Sequence, residues 1–200
     1  MNKVLNMAVV GAALLAGGCT TSTRTAPVEV TRYHLGSMPE RTAVAIEPMT
    51  GAAQISPEFQ LYADAVAAEL QRLGFAPGVT GSGYIAAVSF VRTSRGAYRE
   101  PPPVSIGLGG GGVSGGRRSG VGLGGGVSFG IGGKTREVIG SELWVQLRRR
   151  SDNTTVWEGR AVTESISGKP GSDPREAAAR LARALFKDFP GESGVTTTVK

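Results

Sequence analysis

Apolar residues recur at helical spacing in two stretches of the chain and at period two in several others. Phe59, Tyr62, Ala63, Val66, Leu70 and Leu73 form one helical stripe, and Ala177, Ala178, Leu181, Leu185 and Phe189 form a second. Each has its own start signal. Ser56-Pro57-Glu58 supplies a capping hydroxyl, a proline suited to the first helical position, and a carboxylate for the positive end of the helix dipole. Asp173-Pro174-Arg175-Glu176 has the spacing of a capping box. Gly74, with Phe75 folding back on the last turn, predicts the end of the first helix, and Pro190-Gly191 that of the second.

Period-two alternation predicts the strands. Residues 28–35 place Val30, Arg32 and His34 on one side and Thr31, Tyr33 and Leu35 on the other. Residues 41–49 set Val44 and Ile46 against Ala43 and Ala45, and Pro48 marks the end of that strand or a sheet edge. Residues 84–92 are apolar on both faces, which predicts a central strand. Residues 138–150 and 154–166 flank Ser151-Asp152-Asn153, a hairpin turn signal. Ile139, Ser141, Leu143, Val145 and Leu147 share one face of the first arm, with Trp144 among polar residues on the other. Trp157 shares its side with Gly159 and Ala161, which predicts a core ring packed over small residues rather than a ligand contact. Residues 195–199 are β-branched and read as a last edge strand or a frayed tail. The order ββα, β, long hairpin, ββα predicts an α+β two-layer sandwich, both helices covering one face of a largely antiparallel sheet.

Residues 101–133 interrupt this pattern with glycine, three prolines at the start and Arg117-Arg118 in the middle. Three readings stand: a linker, an extension of a hairpin, or a glycine segment inserted in a membrane. Val104, Ile106 and Leu108, then Val121 and Leu123, then Val127, Phe129 and Ile131 alternate with Gly and Ser, as two ribbon-like strands do. The paired arginines argue against insertion.

The start of the chain adds an address. Lys3 precedes an apolar run over residues 7–16, too short to span a bilayer core of roughly 20 residues' length. Small residues then lead to Cys19. A secretory signal peptide reads this way, and Leu15-Ala16-Gly17-Gly18-Cys19 resembles a bacterial lipobox, whose cysteine is lipidated and becomes the first residue after cleavage. The pattern departs in one place, since Ala16 rather than Leu lies three residues before the cysteine. Cys19 is the sole cysteine, so a disulfide within one chain is excluded. Two or three acyl chains make a stable anchor where one holds marginally. Thr20 stands where Asp would mark inner-membrane retention, so the resemblance implies the periplasmic face of the outer membrane. The predicted organisation is a signal peptide at 1–18, a tether at 19–27 and one α+β domain at 28–200, with the glycine-rich insertion at about 101–133.

Charge and chemistry add little activity to this picture. The net charge is +6, but the arginines are scattered rather than striped, and an exported protein meets little nucleic acid. Anionic lipid, cell-wall polymer or plain solvation account for the balance. Ser114 and Ser128 both sit in G-x-S-x-G, yet His34, the one histidine, lies upstream of both, where a hydrolase elbow needs it downstream. Residues 128–135 approach a P-loop ending in Lys134-Thr135 but lack its first glycine, and a strand pattern follows. One His and one Cys cannot build a Cys/His metal site. Glu142, Glu158 and Glu164 lie on strands with nothing to pair them across a cleft. No catalytic, cofactor or metal residue is therefore assigned.

The lipobox, Tyr33 in an opening strand, the glycine-rich middle, Val156-Trp157-Glu158-Gly159-Arg160-Ala161, and a closing helix ending in Phe189-Pro190 together resemble the lipoproteins of domain-of-unknown-function family 4136. The resemblance covers residues 28–190 and implies an envelope location and a single α+β domain, with no activity to carry over. The expected function is that of a non-enzymatic protein held to the outer membrane through lipidated Cys19 and binding an envelope protein or polymer. A self-assembling lipoprotein, a homo-oligomer joined through the glycine ribbon, is the alternative, followed by a cell-wall or lipid hydrolase.

Overall fold

The computed structural model describes residues 25–36, 40–49, 56–78, 81–100, 104–108, 127–131 and 133–200. The elements run β1 (Val28–His34), β2 (Ala43–Pro48), α1 (Pro57–Arg72), β3 (Ala76–Pro77), β4 (Tyr84–Arg99), β5 (Val104–Leu108), β6 (Val127–Ile131), β7 (Thr135–Arg149), β8 (Thr155–Ile166), α2 (Pro174–Phe186) and β9 (Thr196–Val199). Seven strands form one sheet in the order β3-β2-β4-β7-β8-β1-β9, and β5 and β6 form a second sheet of two. The fold is α+β.

The large sheet is mixed. β2 runs parallel to both β3 and β4, whereas every pairing from β4 through β9 is antiparallel. The cause is α1, which carries the chain from the end of β2 back to its start, as a parallel crossover requires. Alternation within a strand carries no mark of which way its neighbour runs, and β3, two residues long, is too short to leave a pattern at all.

The helices form where their caps predict. The Ser56 side chain accepts from the Phe59 amide at 3.0 Å with Pro57 opening α1. At the other end Gly74 adopts φ +92° while the amide of Phe75 donates to Leu70 O at 3.0 Å, closing the last turn and burying the Phe75 ring. Asp173 accepts from the amides of Arg175 and Glu176, but Glu176 does not return the bond as a capping box does. Its carboxylate accepts instead from Gly171 N at 2.8 Å. α2 also stops at Phe186, before Pro190-Gly191, because Lys187 turns extended and Asp188 takes φ +55°.

α1 and α2 touch each other. α1 also contacts β2, β3 and β4, and α2 contacts β1, β7 and β8. Between them and the sheet lie Tyr62, Val66 and Leu70 of α1, Leu181, Leu185 and Phe186 of α2, and Val30, Val88, Leu143, Val145, Leu147 and Trp157 of the strands. Trp157 is fully buried, as its pairing with small residues predicts, and stacks on Phe186 at 5.3 Å between centroids. A methyl group built on Gly159 would stand 2.5 Å from the Trp157 ring and 2.7 Å from Leu185, so the indole needs the bare backbone there. The indole N–H donates to Pro190 O at 3.0 Å.

Arg32 shares the face of Val30, as the alternation predicts, and is a buried charge. It belongs to the inward face of β1 with Val28 and Val30 and is only 5% exposed. Its guanidinium donates to the carbonyls of Leu185 at 2.8 Å, Ala184 at 2.9 Å and Lys187 at 3.0 Å. These are carbonyls that the end of α2 leaves without helical partners, at the negative end of its dipole. Burial pulls the Arg32 pKa down, and the charge of Asp188 opposes that.

Candidate functional site

The hairpin of β4 and β7 runs on past the buried core. β4 continues seven residues past the end predicted at residue 92, paired with β7 as far as Arg99 and Thr135. β2 accompanies it only from Tyr84 to Val88, with the Met49 amide donating to Val88 O at the end of that pairing. Beyond that point, among the described residues, the outer edge of β4 carries no further strand. The register slips between Ser94 and Gly96, where Gly96 takes φ +121° and a bulge twists the edge. From Thr93 onward β4 is exposed at every position.

Past Arg99 the Glu100 amide donates to Lys134 O at 2.9 Å, and β5 and β6 resume antiparallel pairing from Val104 and Ile131 to Leu108 and Val127. The glycine-rich stretch thus holds a two-stranded ribbon on the far side of the hairpin. Residues 109–126, including Arg117, Arg118, Val121 and Leu123, lie outside the described residues.

The hairpin is pinned where ribbon and sheet meet. Glu100 accepts from Lys169 Nζ at 2.6 Å through one oxygen and from Arg136 Nε at 2.9 Å through the other. Hydrogen bonds from Lys169 and then Arg136 lower its pKa from 4.5 to about 2. Arg136 also donates to Ser167 O at 3.1 Å, so the pin joins the hairpin to the connection between β8 and α2.

A second feature lies beside α2. A cleft of about 820 Å³ opens where the described chain begins, between Thr25 to Val28, the α2 side chains Arg180, Arg183 and Lys187, Val199 of β9 and the following Lys200. Arg180 also lines an adjoining cleft of about 480 Å³ that runs to Glu164 and Lys169.

The residues considered from sequence are dispersed. Cys19 and Ser114 lie outside the described residues, as do all of residues 1–24, which hold the expected signal peptide and most of the expected tether. Ser128 lies on β6 and Lys134 just before β7. His34 ends β1, and its Nε2–H donates to Gly191 O at 3.2 Å. Glu142 accepts both of its bonds from Arg160 at 2.7 Å. Glu158 accepts from Trp144 Nε1 at 2.9 Å and Gln146 Nε2 at 3.0 Å, and Glu164 lies 3.8 Å from Arg95. The three carboxylates thus serve cross-strand partners rather than one another. Among the described residues no three His, Cys, Asp or Glu side chains gather to hold a metal, and no helix is long and apolar enough to cross a membrane. The grouping of Arg180, Arg183 and Lys187 went unread. Its signal was their three- and four-residue spacing, which places cations on one helix face.

Comparison with known proteins places this geometry. The model of a domain of unknown function, DUF4136, matches residues 43–191. An uncharacterized protein of Zymomonas mobilis, ZMO1243, is 36% identical over 88% of this chain and 81% of its own length. Among solved structures, a PDZ domain protein from Parabacteroides distasonis aligns over 88% of this chain with a TM-score of 0.50 at 9% identity. This chain spans 40% of that protein's length, and the likeness is one of fold alone. A dodecameric PelC from Paraburkholderia phytofirmans aligns at a TM-score of 0.42 and 13% identity over 83% of this chain and 99% of that one, too distant to bear on assembly.

Proposed function

The chain belongs to the DUF4136 family, and from that premise we propose that it is a non-enzymatic envelope lipoprotein, fastened to the outer membrane through Cys19, whose hairpin extension binds a protein or polymer partner. The observation that carries the anchor is the position of the sole cysteine, at the end of a short apolar leader and nine residues before β1 begins. The folded part is a two-layer sandwich in this reading, with the helices as one layer over one face of the sheet. Contact between α1 and α2, and of each with a different half of the sheet, supports it.

Support for the hairpin as the binding element comes from its edges. A strand edge without a neighbour offers a row of amide and carbonyl groups to an extended segment. β3 and β9, the outer strands of the large sheet, have two and four residues, lengths that limit such pairing. The edge of β4 beyond Val88 is longer, and the β5–β6 ribbon has two edges of its own.

Two experiments test this function. Intact-mass analysis of the chain extracted from membranes should find Cys19 acylated and residues 1–18 removed; an unmodified thiol sinks the anchor. Crosslinking in intact envelopes should yield partner adducts that vanish when residues 104–131 are replaced by a tight turn. Adducts unchanged by that replacement count against the hairpin. The same ribbon motivates self-association as a second reading, for which adducts between two copies of the chain are the mark.

A further inference from the structure

We propose that the cleft beside the start of the described chain is a binding site for one anionic phospholipid, with its phosphate at the α2 cations and its glycerol and acyl portion on the floor. The inference rests on the lipid-anchor reading for the source of the ligand, and on the cleft itself for its chemistry.

The cleft has two kinds of wall. Arg180, Arg183 and Lys187 rise from one face of α2, three and four residues apart, with Ala184 between them as a small residue that leaves the space open. Pro27, Val28 and Val199 supply apolar surface opposite. Lys200 adds a further cation to the lining, and among the described residues no Asp or Glu side chain lines it. At about 820 Å³ the cleft lies within the range, roughly 300–1,000 Å³, of pockets that take small molecules. An apolar floor beneath a rim of one sign of charge matches an anionic amphiphile better than a free ion, which has no use for the floor, or a neutral lipid, which has none for the rim.

Arg180 sharpens the argument. Its Nη2 donates to Thr163 Oγ1 at 2.6 Å, and Thr163 Oγ1 donates in turn to Pro27 O at 3.0 Å, tying the guanidinium to the start of the folded chain. Its Nε and Nη1 are buried and meet no acceptor among the described residues. Glu176, the carboxylate whose charge Arg180 feels, does not serve them and accepts instead from the Gly171 amide. Burial lowers the Arg180 pKa, and the charge of Glu176 opposes the shift without cancelling it. A partly desolvated cation with idle donors leaves uncompensated positive charge under the cleft, which an anion seated there offsets.

Location supplies the ligand. Thr25 lines the cleft and stands six residues after Cys19, so even a fully extended connection keeps the cleft within about 20 Å of the anchored residue. A cleft held that close to the headgroups meets phospholipid at high local concentration.

Native mass spectrometry of the full chain, extracted from membranes into micelles of a neutral detergent, tests this. Phosphatidylglycerol or phosphatidylcholine is doped into the micelles, or inorganic phosphate is added without lipid. The account expects one retained phosphatidylglycerol, little phosphatidylcholine and no saturable phosphate adduct. Arg183 and Lys187 are exposed, so the Arg183→Gln/Lys187→Gln variant should keep the unfolding midpoint. It should lose retention roughly 25-fold, about fivefold for each cation near a lipid surface. Equal retention of the two lipids, retention unchanged in the variant, or phosphate binding as well without lipid would each overturn the site. The same spectra give the mass at Cys19, so an unacylated chain that still retains phosphatidylglycerol overturns the anchor and not the cleft.

Discussion

The β4–β7 hairpin is one continuous ladder with two unlike halves. In the half nearer Tyr84 and Arg149, Ala86, Val88, Leu143, Val145 and Leu147 are buried in one core with residues of both helices. In the half nearer Arg99 and Thr135, the same backbone pairing continues, yet β4 faces solvent at every position from Thr93 on. Backbone pairing runs through both, broken by the one bulge at Ser94 and Gly96, and the larger difference is apolar burial. At about 25 cal/mol for each Å² removed from water, burial rather than the ladder decides where stability resides. The helix-covered half is the fold. The overhanging half, with β5 and β6 beyond it, is what the fold carries outward.

The largest break in this contrast should come from Trp157 of β8, which pairs with Leu147 beside the covered half. Trp157→Ala removes the stack on Phe186, the contact with Phe189 at 5.2 Å and the bond to Pro190 O. Urea unfolding should show a loss of about 3–5 kcal/mol. A loss below about 1 kcal/mol would mean that the covered half is not the stabilising one.

Arg32 comes next. Arg32→Met keeps much of the buried volume but strips the donors from three carbonyls at the end of α2. The expected loss is about 2–3 kcal/mol, since buried acceptors without partners cost desolvation free energy that no new contact returns. Gly159→Ala sets a methyl group against the indole and Leu185, and overpacking there should cost about 1–3 kcal/mol by the same measurement.

At the junction with the overhang the effect should be smaller and dependent on pH. Glu100 titrates near 2 in the folded chain against an ordinary value of 4.5. A depressed carboxylate contributes stability that is complete above its unfolded pKa and is lost as pH falls through the folded one. The difference in thermal midpoint between the natural chain and Glu100→Gln should therefore be steady above about pH 4.5 and shrink toward pH 2. A difference that grows on acidification would contradict the Lys169 and Arg136 pairing.

The covered half was also the half that the sequence disclosed. Ser56, Asp173, Gly74 and the alternation about Leu143 and Trp157 each act through neighbours in the chain or through burial on one side, and both leave a pattern. The acceptors of Arg32 left none, because they lie more than 150 residues away at a helix end that sequence put at Pro190. The stop at Phe186 went unread because it depends on an extended Lys187 and a left-handed Asp188, where no glycine marks the turn. Beyond Arg92 the alternation fades, since a strand exposed on both faces has no apolar side to mark, so the length of β4 was invisible too. The α2 cations shared a readable face, but the opposing wall of their cleft comes from Pro27, Val28 and Val199, at the far ends of the chain.

Hydrogen exchange along the intact chain tests the contrast most directly. Amides of Ala86 to Phe90 and Leu143 to Leu147 should open only with global unfolding, whereas those of β5 and β6, in a sheet of two strands, should exchange roughly a hundredfold faster or more. Equal protection of the ribbon and the helix-covered strands would show that the overhang belongs to the cooperative core and is not an appendage free to serve a partner.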